Sequence, residues 1–164
     1  MSNKPTIIGT GLSGMVGSRL VEIYQEKYNF VNLDITTNVD ITNQDQVNQA
    51  LSAHQPTTVI HFAAFTDVSK AYEQKGDQAG LVYQVNVVGT KNIATACHQF
   101  GHRLIHISTD FVFDGQKNQA YTELDAPSPI EWYGQTKYMA EQEVLASGCH
   151  SVIARLAFPF RANF

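Results

Sequence analysis

The feature that most constrains the fold is a glycine-rich segment, GTGLSGMVG at residues 9–17, between a short apolar run and a helical pattern. The first glycine of such a turn lets the chain leave a strand sharply, the next lets backbone approach a pyrophosphate, and the last lets helix and strand pack closely. A helix that begins there offers free N–H groups and the positive end of its dipole to phosphate oxygens. The segment therefore predicts a dinucleotide-binding turn, in which the cofactor contacts are Gly11, Gly14, Met15, Val16 and Gly17.

Short β-rich runs alternate with longer stretches of helical spacing along the whole chain. The strand-like runs are residues 6–9, 30–34, 58–62, 104–108 and 151–155. The last helical stretch runs from about Trp132 to Leu145, after the helix-breaking Pro127 and Pro129. Alternating strands and helices predict βαβ units, whose right-handed crossovers place helices on both faces of a parallel sheet. We therefore predict an α/β fold, a doubly wound parallel sheet, with residues 1–164 forming one NAD(P)-binding Rossmann domain.

The composition fits one globular domain. Hydrophobic residues make up 43% of the 164 residues and charged residues 16%, and the net charge is −4 without any run of Lys or Arg. This charge argues against a nucleic-acid partner, and no apolar run approaches the ~20 residues of a membrane span. Cys97 and Cys149 are expected to be free thiols in a reducing cytoplasm. The six histidines show no metal-binding pattern, so no metal is expected.

The predicted sheet has few elements beyond its fifth strand, because the sequence stops at Phe164. Folds of this kind often add a second part that closes over the ligand. We therefore expect these residues to be the cofactor-binding portion of a longer protein, with the C-terminal substrate-binding part absent. Without that part the site stays open to water, and the 164 residues alone are not expected to be fully active.

An acidic residue, Asp34, ends the second predicted strand, about 20 residues after the glycine turn. A carboxylate there accepts hydrogen bonds from the adenosine ribose hydroxyls, and it repels a 2′-phosphate unless a cation intervenes. Residues 28–69 contain no Lys or Arg. The sequence therefore favours NAD over NADP as the cofactor.

Tyr133 and Lys137 lie four residues apart in the last helical stretch, so both side chains point to one face of the helix. A lysine ammonium beside a phenol is expected to lower the pKa of the tyrosine. Such a tyrosine can give a proton to a carbonyl oxygen as hydride arrives, or take one from an alcohol as hydride leaves. A Ser-Thr-Asp sequence at 108–110 directly follows the fourth strand, where ligands bind in open α/β sheets. We therefore predict that Thr109, Tyr133 and Lys137 form a catalytic set.

Other residues of this helical stretch are given less specific expectations. Glu141 and Glu143 are expected on its solvated side. Trp132, next to the predicted catalytic tyrosine, either lines the substrate site or seals the start of the helix, and both readings stay open.

Several motifs together resemble those of the extended short-chain dehydrogenase/reductases, a family that works on nucleotide-linked sugars. The resemblance covers essentially the whole chain and includes the turn at 10–17, the Tyr133 and Lys137 pair, and NVVGT at 86–90, a helix motif near the active site. It implies that Tyr133 and Lys137 also contact the cofactor. Further implied cofactor contacts are Asp40 and Ile41 at the adenine ring and, after the third strand, Ala63, Ala64 and Phe65.

The most discriminating stretch, STDFVFDG at 108–115, is similar to that of the dTDP-4-dehydrorhamnose reductases within this family. The similarity implies that Thr109 and Asp110 contact the sugar and that Tyr133 is the proton donor. Related dehydratases typically carry Glu where this chain has Phe111. The resemblance thus implies an NAD(P)-dependent reductase of a 4-keto nucleotide sugar.

Two residues depart from the reductase pattern: Ser69 replaces a common Asp and Phe158 a usual Trp, so the identity of the sugar stays open. Two other functions stay open as well. One is a nucleotide-sugar epimerase that uses bound NAD transiently, and the other is a non-catalytic NAD(P)-binding subunit that regulates a partner. The family also implies a homodimer, formed by the helices that bear Asn86 and Tyr133.

Overall fold

The fold is a five-stranded parallel sheet with helices on both faces, seen in a computed structural model that describes residues 4–160. The strand order is β2-β1-β3-β4-β5, and all four neighbouring pairs are parallel. The chain runs outward from β1 to β2, then crosses back to β3 and continues the other way, so the sheet has a switch point beside β1. The predicted α/β fold is confirmed. The strands are Thr6–Thr10 (β1), Asn29–Asn32 (β2), Thr58–His61 (β3), Arg103–Thr109 (β4) and Ser151–Leu156 (β5).

Helices fill the connections between these strands. A π-helical stretch, Gln84–Gly89, joins α4 to α5, and short 3₁₀ turns follow β2 and β4 at Ile35–Thr37 and Asp110–Val112. A π-helix is rare and is found mostly at functional sites. The α-helices are Met15–Tyr24 (α1), Gln44–Ser52 (α2), Val68–Glu73 (α3), Leu81–Tyr83 (α4), Thr90–Phe100 (α5) and Trp132–Ala146 (α6).

The main core lies between the sheet and one helical layer. Ile8, Val59 and Leu104, one from each central strand, are fully buried and pack in one cluster with residues of α2 and α5. A smaller cluster joins the start of α6 to α3 and α4. Trp132 lies in this second cluster, with its ring stacked on Tyr83 at 6.5 Å. The tryptophan therefore seals the start of the helix.

The described residues contain neither a membrane-length helix nor a metal-binding cluster. None of their helices is long and apolar enough to cross a bilayer. Among residues 4–160, no three His, Cys, Asp or Glu side chains come together in a way that could hold a metal ion. Cys97, buried in the main core, and Cys149 are both free thiols.

Candidate cofactor and active site

A cleft of about 700 Å³ opens at the carboxyl ends of the strands. It is formed by the loops that follow β1 to β4, by the start of α6 and by the end of β5. Parallel strands bring their carboxyl ends to one edge of the sheet, which explains why segments far apart in sequence meet there. The predicted site residues that line the cleft are Gly11, Gly14, Met15, Val16, Gly17, Asp34, Asp40, Ile41, Ala63, Ala64, Thr109, Asp110, Tyr133 and Lys137.

Phe65 is the predicted cofactor residue that does not line the cleft. It packs against the smaller core cluster instead, and its backbone is held by Asn86 of the π-helix. The Phe65 N–H donates to Oδ1 of Asn86 at 2.8 Å, and the Phe65 carbonyl accepts from Nδ2 at 3.2 Å. Thr66, one residue further along, does line the cleft. Phe65 therefore shapes the loop rather than facing the cavity.

The turn after β1 is packed so closely that two of its glycines leave no room for a side chain. Gly11 has a φ of +67°, and a Cβ there would lie 2.8 Å from the backbone nitrogen of Ala63. A Cβ on Gly17 would lie 2.7 Å from the Gly11 carbonyl oxygen. Gly14 caps α1 without any side-chain hydrogen bond, and the first turn of the helix carries no acidic residue. Its first N–H groups thus face the cleft, an arrangement that fits a pyrophosphate.

Asp34 is held rigidly at the end of the loop after β2. Its Oδ2 accepts hydrogen bonds from Ser13 Oγ at 3.0 Å and from Asn32 Nδ2 at 2.7 Å, while Oδ1 accepts from the Thr36 N–H at 2.8 Å. Burial raises the pKa of this carboxyl group, but the hydrogen bonds from Thr36, Asn32 and Ser13 together outweigh burial and lower the pKa. Among the cleft-lining residues of the described chain, Lys137 is the one lysine or arginine. A 2′-phosphate beside Asp34 would thus meet a carboxylate with no arginine or second lysine in the cleft lining to offset it.

Asp40 and Ile41 form one wall of the cleft, where the resemblance implies an adenine ring. Ile41 is buried, and its side chain fills the space at Gly89, where a Cβ would lie 2.7 Å from Ile41 Cδ1. Its carbonyl accepts a hydrogen bond from Asn92 Nδ2 at 2.9 Å. Asp40 accepts two hydrogen bonds from Thr42, through the backbone N–H at 2.9 Å and the hydroxyl at 2.8 Å. Both residues are therefore fixed by contacts within the protein.

Tyr133 lies in the first turn of α6 and is positioned by the helix cap. The Glu131 carboxylate accepts hydrogen bonds from the backbone N–H groups of Tyr133, at 2.8 Å, and Gly134, at 3.0 Å. The Phe111 ring meets the Tyr133 ring edge-on, with 5.7 Å between centroids. Both Thr109 and Tyr133 line the cleft, so the phenol and the Thr109 hydroxyl border the same space.

The pKa of Tyr133 is raised, which contradicts the expectation that the lysine would lower it. Burial is the main cause; the Thr109 hydroxyl acts in the opposite direction, and the charges of Glu131 and Asp110 raise the pKa further. Lys137 is directed elsewhere, since its Nζ donates to the Ile107 carbonyl at 2.8 Å. The phenol therefore holds its proton firmly at neutral pH.

Lys137 is almost completely buried, with 2% of its surface exposed. Burial lowers its pKa to about 8, against the effect of Glu141, whose negative charge raises it. His61 and His106, opposite each other on β3 and β4, face the same lysine. Burial is the main cause of their lowered pKa values, and the charge of Lys137 adds to it. Lys137 thus faces two neutral imidazoles and one carboxylate.

Glu141 contradicts the expectation of a solvated side chain, because only 1% of its surface is exposed. Its Oε1 accepts from Ser108 Oγ at 2.6 Å and from Arg155 Nε at 2.9 Å, and its Oε2 accepts from Arg155 Nη2 at 2.7 Å. Arg155 on β5 compensates the buried charge. Glu143, in contrast, lies nearer the surface, where it pairs with Lys91 at 3.2 Å. The spacing of Lys137 and Glu141, one helical turn apart, was the available signal that both share the buried face.

Sequence reasoning missed several residues that line the cleft, nearly all of them near strand ends. Many are apolar and carry no motif of their own, so position relative to a strand end was the one signal available for them. Phe158, just after β5, also has a φ of +41°, which is uncommon for a residue other than glycine. The lining residues that were not predicted as site residues are Ser13, Ile35, Thr36, Val39, Phe62, Thr66, Val68, Val85, Ile107, Ser108, Phe111, Leu156, Phe158 and Pro159.

Known proteins are similar to this chain in sequence and in fold. The model of the family described as the RmlD substrate binding domain matches residues 5–163. The chain is 38% identical over 136 residues to the dTDP-4-keto-6-deoxy-D-glucose reductase of Streptomyces niveus, covering 83% of this chain and 46% of that protein. The dTDP-4-dehydrorhamnose reductase of Bacillus anthracis, solved in complex with NADP, superposes with a TM-score of 0.87 at 35% identity, over 98% of this chain and 56% of that one.

An epimerase has a similar fold. The UDP-glucose 4-epimerase of Brucella ovis, solved in complex with NAD, superposes with a TM-score of 0.79 at 25% identity. The superposition covers 92% of this chain and 51% of the epimerase. The chain thus spans about half the length of these relatives.

Proposed function

Because this chain belongs to the family of the RmlD substrate binding domain, we propose that it serves an oxidoreductase that reduces the keto group of a 4-keto nucleotide sugar with NAD(P)H. The observation that carries the proposal is the placement of Thr109, Tyr133 and Lys137 in the same cleft as the glycine turn after β1. The reductase names of the Streptomyces and Bacillus relatives support the same reaction. Since the chain spans about half of those proteins, the sugar contacts proposed here are confined to residues of this chain.

A dihydronicotinamide bound in the cleft would supply the hydride. Tyr133 then gives its phenolic proton to the carbonyl oxygen, and its raised pKa ensures that the proton is present beforehand. The Thr109 hydroxyl, which now donates to Asp110 at 3.1 Å, holds the same oxygen, and Asp110 contacts the sugar. Lys137 would hold the ribose hydroxyls of the cofactor and would place positive charge near the carbonyl oxygen of the sugar as the electron density on that oxygen grows.

We propose NADH rather than NADPH as the preferred cofactor. The firmly held Asp34 carboxylate offers acceptors to ribose hydroxyls, and its surroundings in the cleft lining provide no arginine or second lysine for a 2′-phosphate. The Bacillus anthracis relative carries NADP, so a direct comparison of the two cofactors is informative.

Reduction is favoured over dehydration by the residue after Asp110. An acid at that position would be available to remove or add a proton at a sugar carbon, but here the Phe111 ring lies edge-on against Tyr133. An epimerase would use the same tyrosine, so it differs from a reductase in cofactor balance: an epimerase regenerates its cofactor and a reductase consumes it.

The direct test measures NADH oxidation by the full-length protein in the presence of dTDP-4-dehydrorhamnose. Replacing Tyr133 by Phe removes the proton donor, and we expect kcat to fall by about 10²–10⁴-fold while NADH binding persists. Tyr72→Phe, on the exposed face of α3, is the matched control and is expected to keep wild-type turnover. Near-normal turnover of Tyr133→Phe would end the assignment. Sugar conversion without net NADH loss would identify an epimerase, and cofactor binding without turnover would identify a regulatory subunit.

We further propose a cytoplasmic homodimer that pairs through α6 and the helix bearing Asn86. Exposed apolar side chains support the pairing: Met139 and Leu145 lie on α6, and Leu81 lies on α4, directly before the π-helix that bears Asn86. Light scattering at working concentration is expected to give twice the mass of the polypeptide, and the mass of one copy would rule the dimer out.

A further inference from the structure

We infer that Glu141 is a positioning residue for the active site: it fastens the ends of β4 and β5 to α6 and so fixes Lys137 and Thr109 in the cleft. The catalytic consequence rests on the proposed function, whereas the structural and electrostatic consequences do not. Glu141 does not line the cleft, so it acts through other side chains.

The end of β4 is tied to α6 at two consecutive residues. The Lys137 ammonium donates to the Ile107 carbonyl at 2.8 Å, and Glu141 Oε1 accepts from the Ser108 hydroxyl at 2.6 Å. The two helical residues are one turn apart, and the two strand residues directly precede Thr109. Loss of the hydrogen bond between Glu141 and Ser108 would therefore shift the end of β4, which carries both Thr109 and the Ile107 carbonyl that accepts from Lys137.

The end of β5 is joined to the same carboxylate. Arg155 reaches Glu141 with two parallel hydrogen bonds, a geometry with strong directional preference. The guanidinium also lies over the Phe113 ring, 4.9 Å from its centroid. Phe113 follows the 3₁₀ turn after β4. Through Arg155, Glu141 therefore connects α6 both to β5 and to the segment that follows β4.

Charge balance gives Glu141 a second effect on Lys137. Among the described residues, the buried Lys137 and the partly buried Arg155 both lie near the one buried carboxylate, Glu141. The other groups that face Lys137 are His61 on β3 and His106 on β4, both neutral at pH 7 because burial lowers the pKa of each. On its own helix, Lys137 is one turn from Tyr133, whose phenol keeps its proton because its pKa is raised. Removing the charge of Glu141 would leave two cations uncompensated, which favours loss of the Lys137 proton.

The test follows the titration of Lys137 in the protein labelled with ¹³C at the Cε of its seven lysines. We expect Glu141→Gln to move the Lys137 titration, which lies at about pH 8, to lower pH by about one pH unit. Glu141→Asp, which keeps the charge, is expected to restore most of the wild-type behaviour. Glu143→Gln on the same helix is the matched control and is expected to leave Lys137 unchanged. Coincident Lys137 titrations in wild type and folded Glu141→Gln would overturn the inference.

Ser108→Ala provides a second test if Glu141→Gln does not fold, because this variant keeps both charges of the ion pair between Glu141 and Arg155. Loss of this tie is expected to raise the Kd for NADH about fivefold, the size expected from one hydrogen bond. A Kd equal to that of wild type would contradict the positioning role. Failure of the proposed reductase function has a different signature. In that case the wild-type protein does not oxidise NADH in the presence of the keto sugar, while the Lys137 titration still responds to substitution of Glu141.

Discussion

Single glycines determine whether the turn after β1 can close over a pyrophosphate. At Gly17 the first turn of α1 crosses the loop so tightly that a Cβ would lie 2.7 Å from both the Gly11 carbonyl oxygen and the Leu12 Cα. These are backbone atoms, which cannot rotate away as a flexible side chain would. The sequence indicated the close approach, and the structure identifies the atoms that require it.

Gly17→Ala is therefore expected to lower the free energy of unfolding by about 1–3 kcal/mol. The shifted loop should also weaken NADH binding, since its N–H groups no longer converge on the phosphates. Urea unfolding and an NADH titration measure the two effects. Gly76→Ala is the control: its φ of +81° makes the variant strained, but nothing lies within 4 Å of the new Cβ. This control should lose stability and keep NADH affinity, and equal NADH affinity in both variants would contradict the account of Gly17.

We expect another single residue, Asp34, to determine which of the two nicotinamide cofactors binds more tightly. Asp34→Ala is expected to raise the Kd for NADH by about tenfold or more, as expected for the loss of hydrogen bonds to a charged group. The same variant should reduce the difference between the Kd values for NADH and NADPH. Titrations of wild type and variant with each cofactor measure this directly. Asp45→Asn, at the start of α2 and outside the cleft lining, should leave both affinities unchanged. Tighter binding of NADPH than NADH by the wild type would show that Asp34 does not exclude the 2′-phosphate.

At the scale of elements, α6 brings the chemistry together. Its cap at Glu131 fixes Tyr133, its middle places Lys137 on the Ile107 carbonyl, and the next turn brings Glu141 to Ser108. The contacts of Lys137 and Glu141 join the helix to β4, whereas the Glu131 cap orders the first turn of the helix itself. We therefore expect displacement of this one helix to disturb the proposed proton donor, Tyr133, and the proposed cofactor-binding residue, Lys137, together.

Glu131→Ala tests the helix cap. We expect a loss of about 1 kcal/mol in the free energy of unfolding, as for other N-cap side chains. Because the Glu131 charge raises the pKa of Tyr133, its removal should lower that pKa. The alkaline fall in kcat, where the phenol loses its proton, should then begin at lower pH. A pH profile of kcat measures the shift, and Glu123→Ala in the exposed loop before α6 is the control. An alkaline limb that does not move would show that Tyr133 does not titrate in this limb.

The strands and α6 could be predicted from the sequence because apolar periodicity records which faces are buried. Each predicted strand ends within two residues of the observed one. What could not be predicted depends on pairings across the sheet. Glu141 was expected in solvent, although its spacing from Lys137 places both on one face of the helix, because its partner Arg155 comes from β5 and has no signature in the helix itself. The pKa of Tyr133 was misjudged because burial of the phenol, the main cause of the raised pKa, depends on how α6 packs against other elements, and because the Ile107 carbonyl that holds Lys137 has no sequence signature.

At the scale of the whole molecule, two buried histidines make the fold sensitive to acid. His61 is held between Thr10, at 2.6 Å, and Thr90, at 3.0 Å, and its pKa is lowered to about 3, mainly by burial. His106 packs against it at 5.3 Å between ring centroids. Neither ring nitrogen of His106 has a hydrogen-bond partner within the described part of the chain. Both rings are therefore neutral in the folded protein, and they take up protons only when the protein unfolds.

The free energy of unfolding is consequently expected to decrease as the pH drops below about 6.5, because the two histidines bind protons there in the unfolded chain but not in the folded protein. For His61 this loss continues down to about pH 3. Two such groups together give a slope of up to about 2.7 kcal/mol per pH unit. Urea unfolding between neutral and acid pH measures the slope, and His106→Leu should reduce it by about half. The exposed His150→Gln is the control, with an expected slope equal to that of wild type. An equal slope in His106→Leu would remove this histidine from the account.

The most direct test of the central claim is to follow hydride itself. The protein is incubated with dTDP-4-dehydrorhamnose and NADH that carries deuterium at both positions of nicotinamide C4, and the sugar product is analysed by mass spectrometry and NMR. We expect one deuterium at C4 of the product sugar for each NADH oxidised. A product that carries no deuterium, or NADH that remains unoxidised while the sugar is converted, would contradict it.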